Sequence, residues 1–190
     1  MATKIPEYPP VYQLKITLDG IIPPIWRRIL VYGDVKLYKL HKILQAVMGW
    51  ENYHLHLFNV DDVIYAYPSP EDPWPMKTKN EKRARLADVA PEEKTEIGYE
   101  YDLGDSWKHT IVVEKILYPH DGLECPVCLE GERSAPPEDC GGKSGYKTFL
   151  EAISDPNHPD HDWMLEWVGG EFDPERFDLE NINKLLAKVR

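Results

Sequence analysis

Residues 11–32 read VYQLKITLDGIIPPIWRRILVY, and this stretch decides the fold. From Val11 to Asp19 the chain alternates, with Tyr12, Leu14, Ile16 and Leu18 on one face. A period of two marks a half-buried strand. Ile25 to Tyr32, which contains Trp26, Arg27 and Arg28, is a second β-rich run, and Gly20 to Pro24 supplies the turn between them. The chain therefore opens with a hairpin.

The period then changes. Leu37, Leu40, His41, Leu44, Val47 and Met48 recur at three- and four-residue spacing, which predicts a helix from about Val35 to Met48 with Gly49 as its stop. Tyr53 to Val60 and Val63 to Tyr67 read as a second hairpin turning at Asp61 and Asp62. Glu96 to Leu103 and Trp107 to Tyr118 read as a third, closed by Gly104, Asp105 and Ser106 and ended by Pro119. Residues 119–145 carry all three cysteines with four prolines and five glycines, and read as loop. Helical spacing returns at Tyr146 to Ile153, Asp160 to Val168 and Asp178 to Val189. Trp163 and Trp167, four apart, are expected to pack on the sheet.

Strands around an early helix, followed by late helices, give an α+β class with a mainly antiparallel sheet built from hairpins. We expect one domain over residues 1–190, strand-rich to about 118, a Cys/Pro-rich loop over about 119–145 and a helical part from about 146. The 190 residues include 17 prolines, about twice the usual share, yet six Trp, eleven Tyr and four Phe are too many for disorder. No stretch approaches the ~18 apolar residues of a membrane span, and the N-terminus lacks a signal-peptide core, so a cytoplasmic protein is expected.

The net charge of -11 is unevenly spread. Residues 1–119 hold 15 basic and 17 acidic side chains, residues 120–182 hold 4 and 16, and the last eight residues add three basic groups. An acidic field opposes binding to phosphates, so a nucleic-acid partner is not expected. The basic cluster Lys77, Lys79, Lys82, Arg83 and Arg85, interrupted by Glu81, reads as a solvated loop.

Six ordered motifs carry a resemblance: Pro24-Ile25-Trp26-Arg27-Arg28; Leu40-His41 leading into Met48-Gly49-Trp50; His54-Leu55-His56-Leu57-Phe58; Tyr101-Asp102-Leu103-Gly104-Asp105-Ser106-Trp107-Lys108-His109; Pro136-Pro137-Glu138-Asp139-Cys140-Gly141-Gly142; and Gly169-Gly170-Glu171-Phe172-Asp173-Pro174. Together they resemble the plasmid pRiA4b ORF-3-like family over nearly the whole chain. The resemblance implies an α+β domain of bacterial or archaeal type, in a family whose members are often labelled transposon-associated resolvases. That label finds no chemistry here. A serine recombinase needs an N-terminal nucleophilic Ser among arginines, whereas the first serine is Ser69 between two prolines. A tyrosine recombinase needs a late Tyr with an Arg/His cluster, whereas the last tyrosine is Tyr146 and the chain has seven arginines.

Two constellations suit chemistry. His54 and His56, two apart on an expected strand, would present two imidazoles to one side, and His109, Glu100, Asp102 or Asp105 from the next hairpin would complete a metal-dependent hydrolase pocket. The alternative is that these histidines pack against tryptophans and hydrogen-bond carboxylates, and that Asp102 to Asp105 serve only a tight turn. Second, Cys125 and Cys128 at CxxC spacing, with Cys140, would need one more ligand to close a structural zinc site, and His120, His158 or His161 would supply it. Relatives often carry a cysteine near the Pro-Pro-Glu-Asp segment, where this chain has Ala135. Free thiols are the alternative in a reducing compartment.

No Walker loop, dinucleotide fingerprint, nucleophile elbow or HExxH motif occurs, so no nucleotide cofactor is expected. The leading expectation is an accessory or protein-binding domain with a structural zinc site. A metal-dependent hydrolase built on His54, His56 and His109 is the rival, and a mobile-element-associated nucleic-acid accessory protein comes third.

Overall fold

The computed structural model describes residues 8–67, 77–119 and 123–189. The opening hairpin is present: β1 (Val11–Leu18) pairs antiparallel with β2 (Trp26–Tyr32), Leu14 opposite Ile29 and Ile16 opposite Arg27. Tyr12, Leu14, Ile16 and Leu18 are buried and Gln13, Lys15 and Thr17 are not, as the alternation requires. Each such fully buried aliphatic side chain contributes about 1.5–3 kcal/mol.

Helix α1 (Leu37–Met48) buries Leu37, Leu40, His41, Leu44, Val47 and Met48 together with Ile43 and Gln45. Gly49 ends it at φ 78°, with its N–H on the Gln45 carbonyl, a left-handed cap that glycine adopts without a side-chain clash. The second hairpin is β3 (His56–Val60) with β4 (Val63–Ala66), and short β5 (Lys79–Asn80) runs parallel to β4. A single helical turn, α2 (Leu86–Val89), leads to the third hairpin, β6 (Glu96–Tyr101) with β7 (Trp107–Leu117).

The segment read as loop differs from expectation, because residues 127–132 form a strand, β8 (Val127–Glu132), paired with β2. Its Val-Cys-Leu-Glu-Gly-Glu has little β-branched character, and the glycine that masks it is required: a Cβ on Gly131 would stand 2.6 Å from the Trp26 carbonyl oxygen. As an edge strand it is also held from outside, where the Asn183 side chain accepts the Cys128 N–H (2.8 Å) and donates to the Cys128 carbonyl (3.0 Å). Asn183 belongs to α5 (Leu179–Val189), which packs between α1 and β8.

Among the described residues the sheet has eight strands in the order β5-β4-β3-β6-β7-β1-β2-β8, antiparallel except at β4-β5. With helices α3 (Gly142–Ser154) and α4 (His161–Trp167) it completes an α+β architecture. No helix among the described residues is long and apolar enough to cross a membrane. Two further expectations need correction. Trp163 and Trp167 are 60% and 40% exposed, because α4 lies on α3 rather than on the sheet and buries none of its residues. The basic cluster is exposed at Lys77, Lys79, Lys82, Arg83 and Arg85, but Glu81 inside it is wholly buried.

Candidate functional site

Three chain segments meet at one end of the sheet: residues 49–55 between α1 and β3, the β6–β7 turn, and residues 136–141 before α3. Register builds the floor beneath them. His56 faces Tyr101 and Tyr101 faces Trp107; Phe58 faces Tyr99 and Tyr99 faces His109. Cross-strand pairing thus lays aromatic and imidazole rings side by side. Trp50 covers them, stacked on Tyr101 at 5.0 Å and edge-on to His109 at 5.4 Å, and its indole N–H is held by the Pro136 carbonyl (2.9 Å).

His54 stands at the mouth. Its Nε2 lies 2.9 Å from Asp139 Oδ1, 3.6 Å from Asp102 Oδ2 and 3.8 Å from Glu138 Oε2. The Asp139 approach lacks hydrogen-bond alignment, so this buried nitrogen has close carboxylate neighbours but no hydrogen bond among the described residues. Among the described residues, His54, Asp102 and Asp139 are the one group of three metal-capable side chains whose ligand atoms lie within 4.8 Å of one another.

The carboxylates are oriented from behind. Asp102, at φ 55°, accepts the Gly104 and Asp105 N–H groups on Oδ1 (2.9 and 3.2 Å), which leaves Oδ2 towards His54. Glu138 accepts the Glu51 N–H (2.7 Å) and the Tyr101 hydroxyl (3.1 Å). Burial, and then the Glu138 charge, push the Tyr101 hydroxyl well above its ordinary pKa, so it stays a donor. Asp105 is turned away to accept the Gly141 N–H (3.0 Å), joining the β6–β7 turn to the start of α3.

His56 does not join His54, because His54 sits in a bend before β3 and the expected alternation begins only at His56. His56 Nε2 meets Glu81 Oε2 at 2.8 Å, and its ring stacks on His41 with centroids 3.4 Å apart. His41 is held in turn: Gln45 donates to the Tyr99 hydroxyl (3.0 Å), Tyr99 to His41 Nδ1 (2.9 Å), and His41 Nε2–H to Asn52 Oδ1 (2.6 Å). Burial and the adjacent His56 push His41 down to about 3, which keeps it neutral. His109 is buried too, with Nδ1 on the Trp107 carbonyl (3.0 Å), and burial lowers it to about 4. The expected trio of His54, His56 and His109 is thus distributed over separate partners. Glu81, Glu138 and Asp139 escaped sequence reasoning as site residues, although Glu138 and Asp139 lie within a quoted motif.

The cysteines do not gather either. Cys128 sits on β8 opposite Ile29, while Cys140 lies before α3 against Asp105. Burial raises these thiols to about 11 and about 12, none of the three cysteines joins a disulfide, and among the described residues no metal-capable group includes Cys125, Cys128 or Cys140. His158 accepts the Asp160 N–H on Nδ1, and His161 Nδ1 meets the Ala152 carbonyl near the end of α3. His120 lies outside the described residues.

The chain is similar along most of its length to another protein sequence and to a solved structure. It is 38% identical over 178 residues to the uncharacterized protein y4hQ of Sinorhizobium fredii (strain NBRC 101917 / NGR234), covering 93% of this chain and 90% of that one. Its fold is similar to the crystal structure of protein of unknown function MM3350 from Methanosarcina mazei Go1, with a TM-score of 0.81, 38% identity, and coverage of 92% and 98% of the two chains. Residues 10–181 match the family described as plasmid pRiA4b ORF-3-like protein. The chain belongs to the plasmid pRiA4b ORF-3-like family.

Proposed function

We propose that the protein binds one divalent metal ion through His54, Asp102 and Asp139, with Glu138 alongside, and uses it in hydrolysis. The observation that carries this reading is the 2.9–3.8 Å spacing of three carboxylate oxygens about His54 Nε2. Ligand atoms about 2.1 Å from a common ion stand roughly 3.0–3.4 Å from one another in octahedral or tetrahedral sites, so the set is already near ligand spacing. One imidazole with carboxylates suits Zn²⁺, Mn²⁺ or Fe²⁺ better than soft, thiolate-seeking ions. An ion there would polarise a carbonyl or phosphoryl oxygen and acidify a bound water. Asp139 is 65% exposed in its side chain and gives the site an open, solvent-facing side, while Glu138, held by Tyr101 and Glu51, is placed to accept a proton.

Three cysteines without a disulfide support a reducing, cytoplasmic setting. The test is calorimetric titration of metal-free protein with Zn²⁺ and with Mn²⁺, followed by hydrolysis of nitrophenyl esters and phosphates with and without chelator. We expect one ion per chain, lost in His54→Ala and Asp139→Asn and kept in Cys128→Ser. Loss in Cys128→Ser alone would return the metal to the cysteine segment, and no binding at all would leave His54 and Asp139 as an ion pair. Binding without turnover would make the ion a clasp between loops in an accessory domain.

A further inference from the structure

Between Asp155 and Glu175 the chain has seven acidic side chains and no Lys or Arg. On α4, in the middle of this segment, Trp163 and Trp167 stand one helical turn apart and remain 60% and 40% exposed. The patch is anchored rather than loose: the Trp167 ring meets Phe149 edge-on at 5.8 Å, and Phe149 meets Phe172 at 5.1 Å. Beside Phe172 a groove of about 410 Å³ opens, lined by Leu150, Glu151, Ile153, Ser154, Phe172 and Pro174. Asp162, Glu166 and Glu171 form no ion pair among the described residues, whereas Glu151 already has Lys147 and Glu175 has Arg133.

Two exposed tryptophans on one short helix are more apolar surface than an isolated side chain needs, and such patches mark interaction sites. Uncompensated carboxylates around them select the sign of the partner. An aromatic face attracts a cation above it, and carboxylates at its rim hold the same cation by charge-assisted hydrogen bonds. The adjoining groove takes an aliphatic side chain. We propose that this face docks a Lys/Arg-rich amphipathic segment of a partner protein, with one basic residue over Trp163, others against Asp162 and Glu166, and an apolar residue in the Phe172 groove. Charge complementarity commits the proposal to a basic protein segment, since the same acidity repels nucleic-acid phosphates. It stands apart from the His54 site.

The test titrates the full chain with a short synthetic peptide of Lys, Arg and Leu at physiological salt, read by calorimetry. The expected result is binding that weakens with added salt and falls about tenfold or more in Trp163→Ala and in Glu166→Lys. Asp34→Lys, an exposed reversal in the β2–α1 loop, controls for the general acidic field and should change little. Trp163 is mostly exposed, so Trp163→Ala should keep its melting temperature. No binding, an unchanged affinity in Trp163→Ala, or equal weakening in Asp34→Lys would overturn the proposal. So would a concentration-dependent dimer, seen by sedimentation, that Trp163→Ala abolishes, because a second copy would then be the occupant.

Discussion

The imidazole of His56 lies flat on that of His41, with planes within 2° of parallel, while His56 Nε2 meets the wholly buried Glu81 at 2.8 Å. Among the described residues Glu81 Oε1 has no hydrogen-bond partner, and His56 is the group that meets this buried carboxylate. Removing one member of a buried pair costs about 3–5 kcal/mol, because the other is left charged and dry. His56→Ala should therefore destabilise by about 3 kcal/mol or more, and Glu81→Gln should lose clearly less. Urea unfolding of both variants and the double variant checks this, and additive losses would mean the pair is not coupled.

His41 and His109 set a pH dependence of known sign. Burial lowers both, to about 3 and about 4, below the ordinary histidine value of 6.5. Between those values and 6.5 the unfolded chain binds more protons than the folded one, so stability rises with pH. The contribution is full above about pH 6.5 and is lost as the pH falls towards 4. Two such groups give a slope of up to about 2.7 kcal/mol per pH unit in the middle of that window. Unfolding measured at pH 7, 6 and 5 should show the decline, and His109→Gln should flatten it by about half.

Arg27 is buried against carbonyl oxygens rather than a carboxylate. Its guanidinium donates to Val47, Trp26, Glu132 and Arg133 carbonyls at 2.8–2.9 Å, joining β2, the end of α1 and β8, and desolvation lowers it to about 10. Arg27→Met would leave four carbonyls with lost donors, at a cost of about 3 kcal/mol or more. Arg27→Lys should recover little, since an ammonium cannot span the same fork. Thermal melts of the two variants check this, and a near-native Lys variant would contradict it.

The hairpins and α1 were legible because their apolar residues keep a strict period: Leu14, Ile16 and Leu18 at two, Leu37, Leu40 and Leu44 at three and four. Strand β8 was not, because its pairing depends on Gly131 fitting against Trp26 and on Asn183 completing its outer edge, both long-range facts. His54, Asp102 and Asp105 were visible as chemistry-bearing residues, but their grouping was not. Asp139 reaches His54 only through the path of residues 136–141, and Glu81, which looked like an interruption in a basic loop, turns inward to His56. A usable signal existed in the motifs: the His54, Asp102 and Glu138-Asp139 motifs each bring a polar group that turn chemistry alone leaves partly unexplained.

Asp102 separates the demands of the fold from those of the site. Its Oδ1 accepts two backbone N–H groups of the β6–β7 turn, and its Oδ2 faces His54 at 3.6 Å. Asn keeps an acceptor for the turn and tolerates the left-handed backbone that Asp102 adopts, so Asp102→Asn should fold with a loss of about 1 kcal/mol or less. It removes a negative charge that would attract the proposed ion, and should weaken ion binding by about tenfold to a hundredfold. Asp102→Ala removes both roles and should cost about 1–3 kcal/mol of stability as well. Calorimetric metal titration beside urea unfolding distinguishes them. Asn with normal ion affinity would confine Asp102 to the turn, and Asn as unstable as Ala would show that its charge serves the fold.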